Sequence, residues 1–346
     1  MKRKLHWLIL GLFFLFLGTV TDQPVRAAET SGTGLNVTAQ IPENQIDSSA
    51  SYLDLKVAPN QTQTLTLKIK NERNQTRKVK VTPVSAYTNA NGTVAYQQHV
   101  STTKSNAPYQ FSQLVSTGQT LTFAPKETKT VQFKLTVPAE KFSGQILGGF
   151  YIIPLNQVQK TKKKGIVINN KFSMLLGANL QEDSSLKTPE IALGKVTPGL
   201  LSGTTTIFAN LRNNTPTLFG QMKVVAKVSK AGSSKVLHQT TKTNLSMAPS
   251  SNFNYAIDWG RTAFQAGKYH LHLVATSGTK KWVFNRNFTI TQAKAAKYNK
   301  KAVNLKKNYL WLWITLGILL LLLLLALVYY LGRRQGNHQG KHSENE

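Results

Sequence analysis

Residues 64–70, TLTLKIK, and 131–137, VQFKLTV, alternate apolar and polar side chains without a break. Leu65, Leu67 and Ile69 fall on one side against Thr64, Thr66, Lys68 and Lys70; Val131, Phe133, Leu135 and Val137 repeat the pattern against Gln132, Lys134 and Thr136. Successive side chains of a strand point to opposite faces, so a period of two with one apolar face describes a half-buried antiparallel strand. Comparable runs occupy Tyr52–Val57, Val79–Val84, Ile146–Ile153, Ile166–Leu176, Met222–Val228, Tyr269–Ala275 and Trp282–Ile290. The turn signals Asn91-Gly92, Pro198-Gly199 and Ala231-Gly232 separate them. No long amphipathic helix is written between residues 28 and 292, and the expectation is an all-β chain of two immunoglobulin-like β-sandwich domains.

The polar, basic stretch Asn156–Lys164 (NQVQKTKKK) continues no apolar face and reads as a self-repelling, extended joint. It divides the β region into domains at 34–156 and 165–300. Ala293–Asn308 reads as a second spacer that lifts the domains off whatever follows, by roughly 24 Å if helical.

Outward from these domains, both ends of the chain are apolar. Residues 1–27 carry Lys2, Arg3 and Lys4, then an apolar stretch from Leu8 to Val20, then Val25-Arg26-Ala27. That order is the signature of an export signal with small or apolar residues at the cleavage site. Tyr309–Leu331 (YLWLWITLGILLLLLLLALVYYL) has no charge, and at ~1.5 Å per residue it spans about 34 Å, enough for one C-terminal transmembrane helix. Trp311 and Trp313 at one end, with Tyr329 and Tyr330 at the other, are rings suited to the two headgroup levels. Six lysines precede the span, whereas Arg333, Arg334 and Lys341 follow it. Local charge alone favours the opposite orientation, yet an export signal commits the chain that follows it, and long domains translocate largely regardless of charge. Residues 28–308 are therefore expected outside and the tail 332–346 in the cytoplasm.

The 346 residues include 43 Lys+Arg, 14 Asp+Glu and no Cys, a formal net charge of +29. Within 28–308 the balance is 36 Lys+Arg against 11 Asp+Glu, a net +25. Such a field attracts polyanions. Export removes nucleic acid as a partner, and no reader motif gathers the basic residues; anionic wall polymers or lipid headgroups fit better. Zero cysteine excludes disulfides, thiol catalysis and thiolate zinc sites. It also outweighs the seven Asn-x-Ser/Thr triplets, at Asn36, Asn60, Asn74, Asn91, Asn213, Asn244 and Asn287, and points to a Gram-positive bacterial surface.

Catalytic chemistry is sparse, and no catalytic, cofactor-binding or metal-ligating set is expected. Glu182-Asp183 is the sole adjacent acidic pair outside the C-terminal tail. Ser101-Thr-Thr-Lys104 matches the Ser-x-x-Lys of penicillin-interacting enzymes but lacks their Ser-Asp-Asn and Lys-Thr-Gly companions. His270 and His272 share a strand face opposite Tyr269, Leu271 and Leu273, with no third ligand in view. Two loops carry more suggestive chemistry. Tyr87-Thr-Asn-Ala-Asn-Gly92 with Tyr96 is a hairpin-like tip whose Tyr87, Asn89, Asn91 and Tyr96 offer amides and rings to a sugar, or simply form a turn. Met247-Ala-Pro-Ser-Ser-Asn-Phe253 is a kinked loop with an apolar residue at each end. It either pins a sandwich edge or, through Met247, Pro249, Asn252 and Phe253, offers one to a partner strand.

At these residues the chain resembles the WxL-interacting protein family of Gram-positive surface proteins. The resemblance rests on Ile41-Pro-Glu-Asn-Gln45, Tyr52-Leu-Asp-Leu55, Thr88-Asn-Ala-Asn-Gly92 and Phe142-Ser-Gly-Gln-Ile-Leu-Gly-Gly149 in the first domain. In the second it rests on Pro189-Glu190, Asn210-Leu-Arg-Asn213, Met247–Phe253, Ala266-Gly-Lys-Tyr269, Trp282–Ile290 and Ala295–Asn299. Ser250 departs from the Asn more often found after Ala-Pro. The resemblance implies a non-enzymatic, single-pass surface adaptor with a peptidoglycan-binding first domain. Its second, host-binding domain would engage WxL-domain surface proteins or host extracellular matrix. The alternatives left by the residues alone are a wall-modifying enzyme and an electrostatic binder of anionic wall polymers.

Overall fold

The structure, a computed structural model, describes residues 32–155, 159–163, 166–170, 172–183, 185–303, 305 and 309–339. The expected export signal lies outside the described residues, as does the end of the expected tail. In chain order the first strands are β1 (Leu35–Ala39), β2 (Leu53–Lys56), β3 (Thr62–Asn71), β4 (Arg77–Thr88) and β5 (Val94–Gln97). A one-turn helix α1 (Phe111–Leu114) leads to β6 (Gln119–Phe123), β7 (Thr128–Thr136), β8 (Gln145–Pro154), β9 (Gln159–Lys163), β10 (Ile166–Asn170) and β11 (Met174–Gln181). Then come β12 (Ile191–Leu201), β13 (Thr204–Asn213), β14 (Phe219–Lys230) and β15 (Val236–Met247). The chain ends with β16 (Asn252–Asp258), β17 (Gly267–Ser277), β18 (Lys280–Ile290), α2 (Gln292–Lys301) and α3 (Leu310–Gln339).

Apart from the separate two-stranded sheet β9-β10, the strands form two sandwiches. In the first, the sheet β1-β3-β7 faces the sheet β2-β11-β8-β4-β5, with β6 also paired to β4. Leu65 and Leu67 of β3 stand opposite Phe133 and Val131 of β7, all buried, as their alternation demands. Phe133 meets Phe150 of the facing sheet at 4.7 Å between ring centroids, and α1 adds Phe111 edge-on to Phe150 at 5.7 Å. In the second, β12-β13-β16 faces β15-β14-β17-β18. Val224, Ala226 and Val228 of β14 pair with Ala275, Leu273 and Leu271 of β17, and all six are buried. From the other sheet the buried Tyr255 reaches across, its hydroxyl 3.1 Å from the carbonyl oxygens of both Val224 and Thr240. Burial holds that phenol protonated well beyond its usual range.

Four local expectations change. The run Ile166–Leu176 is two strands rather than one, because Asn169-Asn170 interrupts its apolar period: β10 pairs with β9, whereas β11 pairs with β8 and, in parallel, with β2. Consequently the stretch expected as a linker contributes β9, whose backbone finds a partner without needing an apolar face. The sheets divide later, between Gln181 and Ile191. Pro198-Gly199 is not a turn; it lies within β12, an edge strand that tolerates a residue without an N–H.

The fourth change concerns the expected spacer. Gln292–Lys301 is helical, capped by the Thr291 side chain, and docked on the second sandwich rather than standing free. Ala295 is buried there, Asn299 exchanges two hydrogen bonds with the Phe264 backbone (2.7 and 2.9 Å), and the Val303 N–H donates to the Gly203 carbonyl at 2.9 Å. Only residues 304–308 separate that contact from Tyr309. Within α3, Leu312–Tyr330 is long and apolar enough to cross a membrane, and none of it is buried against the rest of the protein. A helix apolar all round with no protein cover is the kind that lipid solvates.

Candidate functional site at the junction of the sandwiches

The two loops expected to bind separate partners meet each other. Asn89 Oδ1 accepts from the N–H groups of Asn91 (2.9 Å) and Thr93 (3.3 Å), which folds the hairpin tip that follows β4. At the end of that tip Gly92 adopts φ 76°, and a Cβ there would lie 2.9 Å from Leu245 Cδ2 and 3.0 Å from the Phe253 ring. The tip therefore lies flat on the second sandwich, and the Gly92 carbonyl accepts from the Ser246 N–H at 2.8 Å. Beside it Thr88 Oγ1 accepts from the Ala248 N–H at 3.0 Å and lies 2.5 Å from Ser251 Oγ.

A second strap bonds to the same stretch of the second sandwich. The Asn106 N–H donates to the Ser250 carbonyl (2.7 Å) and the Asn252 N–H to the Lys104 carbonyl (2.9 Å), so residues 104–106 pair with the start of β16. A third contact joins Gln145, whose N–H donates to the Pro216 carbonyl and whose side-chain oxygen accepts from the Leu218 N–H. Domains joined by a linker move relative to one another by default; here backbone hydrogen bonds from three separate segments fix the angle.

This geometry places the expected site residues plainly. Met247 and Phe253 belong to the core of the second sandwich and Pro249 is buried, so these three pin the edge rather than present it to a partner. The signal was present in the loop itself, whose two apolar ends flank a polar kink. Asn252 stays half-buried beside the junction, Asn91 is exposed, and Tyr87 and Tyr96 are half-buried. Lys104 Nζ sits 4.4 Å from the centre of the Tyr87 ring and 3.4 Å from Gln97 Oε1. It is thereby turned to Tyr87, while Ser101 Oγ pairs with Thr103 Oγ1 at 2.6 Å. Asp183 pairs with Lys141 at 2.8 Å, and Glu182 accepts weakly from the Phe142 N–H at 3.4 Å. His270 and His272 bond the side chains of Asn287 and Asn285 across β18. Among the described residues no three His, Asp or Glu gather as a metal-ligand set. On α3, Trp313 is 70% exposed and Tyr329 69%, with Tyr330 similar; the Trp311 side chain lies outside the described ones.

Sequence reasoning missed the cleft that the junction creates. About 430 Å³ in volume, it lies between residues 102–106 of the first sandwich and the outer face of β12, β13 and β16. Every lining residue is polar, and the charged ones are Lys195 and Arg212. Asn210 anchors its floor, donating to Asn252 Oδ1 (3.1 Å) and Asn254 Oδ1 (3.0 Å) and accepting from Arg212 Nε (2.9 Å).

Two family models match the chain in succession. That of the WxL Interacting Protein, peptidoglycan binding domain, covers residues 35–154, and that of the WxL Interacting Protein, host binding domain, covers 163–300. No curated protein matches this chain. Among solved structures it is similar to the PapD-like domain 7 of human CEP192, with 11% identity, 48% of this chain and 97% of that one covered, and a TM-score of 0.24. It is also similar to the E. coli chaperone DraB, with 11% identity, 74% and 98% coverage, and a TM-score of 0.27. A third is the CsuC-CsuE chaperone-tip adhesion subunit pre-assembly complex of Acinetobacter baumannii, with 12% identity, 66% and 93% coverage, and a TM-score of 0.28.

Proposed function

The chain belongs to the WxL-interacting protein family, and from that premise we propose that it is a membrane-anchored adaptor of the Gram-positive surface. This chain joins a peptidoglycan-binding domain (35–154) to a host-binding domain (163–300). In the proposal the first sandwich holds wall peptidoglycan, and the second engages a WxL-domain surface protein or host matrix. Residues 1–27 direct export, α3 spans the membrane once, and the tail is cytoplasmic. The observation that carries this reading is the order of parts on one chain: a peptidoglycan-binding domain, a host-binding domain, then a lipid-compatible helix.

Several features support the reading. Trp313 and Tyr329 are sixteen positions apart on α3, roughly 24 Å at ~1.5 Å per residue, a spacing that suits rings at the two edges of the hydrocarbon core. The docked α2 and the short segment 304–308 hold the second sandwich close to the bilayer. A fixed junction then presents the first sandwich at a set angle toward the wall.

A second reading draws on the net +25 of residues 28–308: capture of anionic wall polymers or lipid headgroups by field alone. A bridging assay tests the adaptor. Full-length chain in detergent micelles, purified sacculi and a soluble WxL-domain protein are mixed and sedimented. The adaptor reading expects the WxL-domain protein in the pellet only when sacculi and chain are both present. A chain that stays in the supernatant refutes the wall-binding half; a chain that sediments alone refutes the WxL half.

A further inference from the structure

We propose that the junction cleft is a binding site for a carboxylate-bearing saccharide, one that both sandwiches build together. The inference rests on the reading that this chain binds peptidoglycan, and it names a place and a chemistry that the domain assignments do not.

The lining decides the ligand class. Lys195 and Arg212 are the charged groups of the cleft, no acidic side chain opposes them, and the remaining residues are Asn and Thr. Small-molecule sites of comparable volume are mostly lined by apolar side chains; every residue lining this one carries a polar group. It also holds no aromatic ring, so a nucleobase finds no stacking platform. Amides and hydroxyls exchange hydrogen bonds with the hydroxyl and acetamido groups of a sugar, while a guanidinium pairs with a carboxylate through two parallel N–H bonds.

The cleft is also set before any ligand arrives. The register of β12 against β13 slips between Leu193 and Val196, a bulge that carries Gly194 and the exposed Lys195. A Cβ at Gly194 would lie 2.7 Å from Asn210 Oδ1 and 3.0 Å from Arg212 Nε. Glycine there lets both side chains lie over the backbone of β12. Arg212 Nε is then occupied by Asn210, which fixes the plane of the guanidinium and leaves its terminal N–H groups as donors. The facing wall is equally fixed, because the bonds from Asn106 to Ser250 and from Asn252 to Lys104 close the strap beside it. Groups held in the bound arrangement lose little freedom on binding.

The test titrates a soluble disaccharide-peptide with free carboxylates, a muropeptide, into the full chain in detergent micelles by calorimetry. Saturable binding is expected, weakened at least tenfold by Arg212→Gln and by converting the muropeptide carboxylates to amides. Arg212→Lys keeps the charge but loses the fork and should fall between. Lys68→Gln, the same charge change on the exposed face of β3, should leave affinity within about twofold, as expected for a distant, screened charge. Arg212 is exposed, and an unchanged melting temperature separates loss of binding from loss of fold. Equal weakening by Arg212→Gln and Lys68→Gln would overturn the site in favour of a diffuse field, and unchanged affinity in Arg212→Gln would overturn it outright. Glycerol-phosphate polymer binding lost in Arg212→Gln, with no muropeptide binding, would replace carboxylate by phosphate and overturn the stated class. Sedimentation of the wild-type chain with sacculi, run in parallel, reports on peptidoglycan binding itself: failure there strikes the parent reading, whereas sedimentation with an unaffected Arg212→Gln titration strikes the cleft alone.

Discussion

Thr88 Oγ1 and Ser251 Oγ lie 2.5 Å apart, though 163 residues separate them in the chain. Both side chains are buried, and Thr88 Oγ1 also accepts from the Ala248 N–H. One hydroxyl thus satisfies a backbone donor that the junction hides from water.

Thr88→Val keeps the shape and removes that acceptor. An orphaned buried donor costs about 1–3 kcal/mol, so urea unfolding should begin earlier by that amount, and limited proteolysis should cut the junction faster. Thr88→Ser, which restores the oxygen, should recover most of the loss.

Ser250 offers a change in the opposite direction. Its φ is 47°, in the left-handed region that costs a residue with a Cβ roughly 1–2 kcal/mol and that Asn and Gly tolerate better. Its N–H donates to the Thr215 carbonyl and its own carbonyl accepts from Asn106, so backbone bonding survives substitution. Ser250→Gly and Ser250→Asn should each raise the denaturation midpoint by the equivalent of about 0.5–1 kcal/mol.

Much of the fold is legible because its signals are local. Leu65, Leu67 and Ile69 declare a buried strand face within seven residues, and α3 declares itself by twenty-three. The junction is not legible in that way. Nothing near Thr88 announces Ser251, and nothing near Leu53 announces that β2 will pair in parallel with Ala178 and its neighbours. From sequence the loops at Asn89 and Pro249 read either as binding surfaces or as structural turns, because polar turns that cap a sheet and polar turns that dock on another domain use the same residues. The cleft was hidden for a related reason: Lys195, Arg212 and Asn252 come from three strands, and only the sheet register assembles them.

The histidine at position 238 gives a pH dependence. Its ring stacks on Trp259 at 3.9 Å, and burial lowers its pKa from the ordinary histidine value, with nearby Asp258 acting in the opposite sense. The unfolded chain therefore binds this proton more readily than the folded one, so the stability linked to it is present above the unfolded pKa and is lost as pH falls below about 6.5. The melting temperature should drop between pH 7 and pH 5, and His238→Gln should flatten that part of the profile. An identical slope in the variant would assign the loss to other groups.

The docked α2 yields a distance. Six Cα steps at no more than ~3.6 Å each reach about 22 Å from Val303 to Tyr309, at the start of the apolar helix. With α3 spanning the membrane as proposed, Leu201, 46% exposed at the end of β12 and two residues from Gly203, lies near the headgroups. Because the chain has no Cys, Leu201→Cys admits a single spin label. In nanodiscs its spectrum should respond strongly to paramagnetic headgroup lipids, whereas a free-standing spacer predicts no response.

The central claim is that a shaped surface, and not charge alone, holds the wall. Its most direct test is the affinity of the full chain for purified sacculi at about 0.15 M and about 1 M salt, where the Debye length falls from roughly 8 Å to 3 Å. Saturable binding that weakens but persists at the higher salt is the predicted result. Binding abolished there would contradict the account and leave the +25 field of residues 28–308 as the whole of the contact.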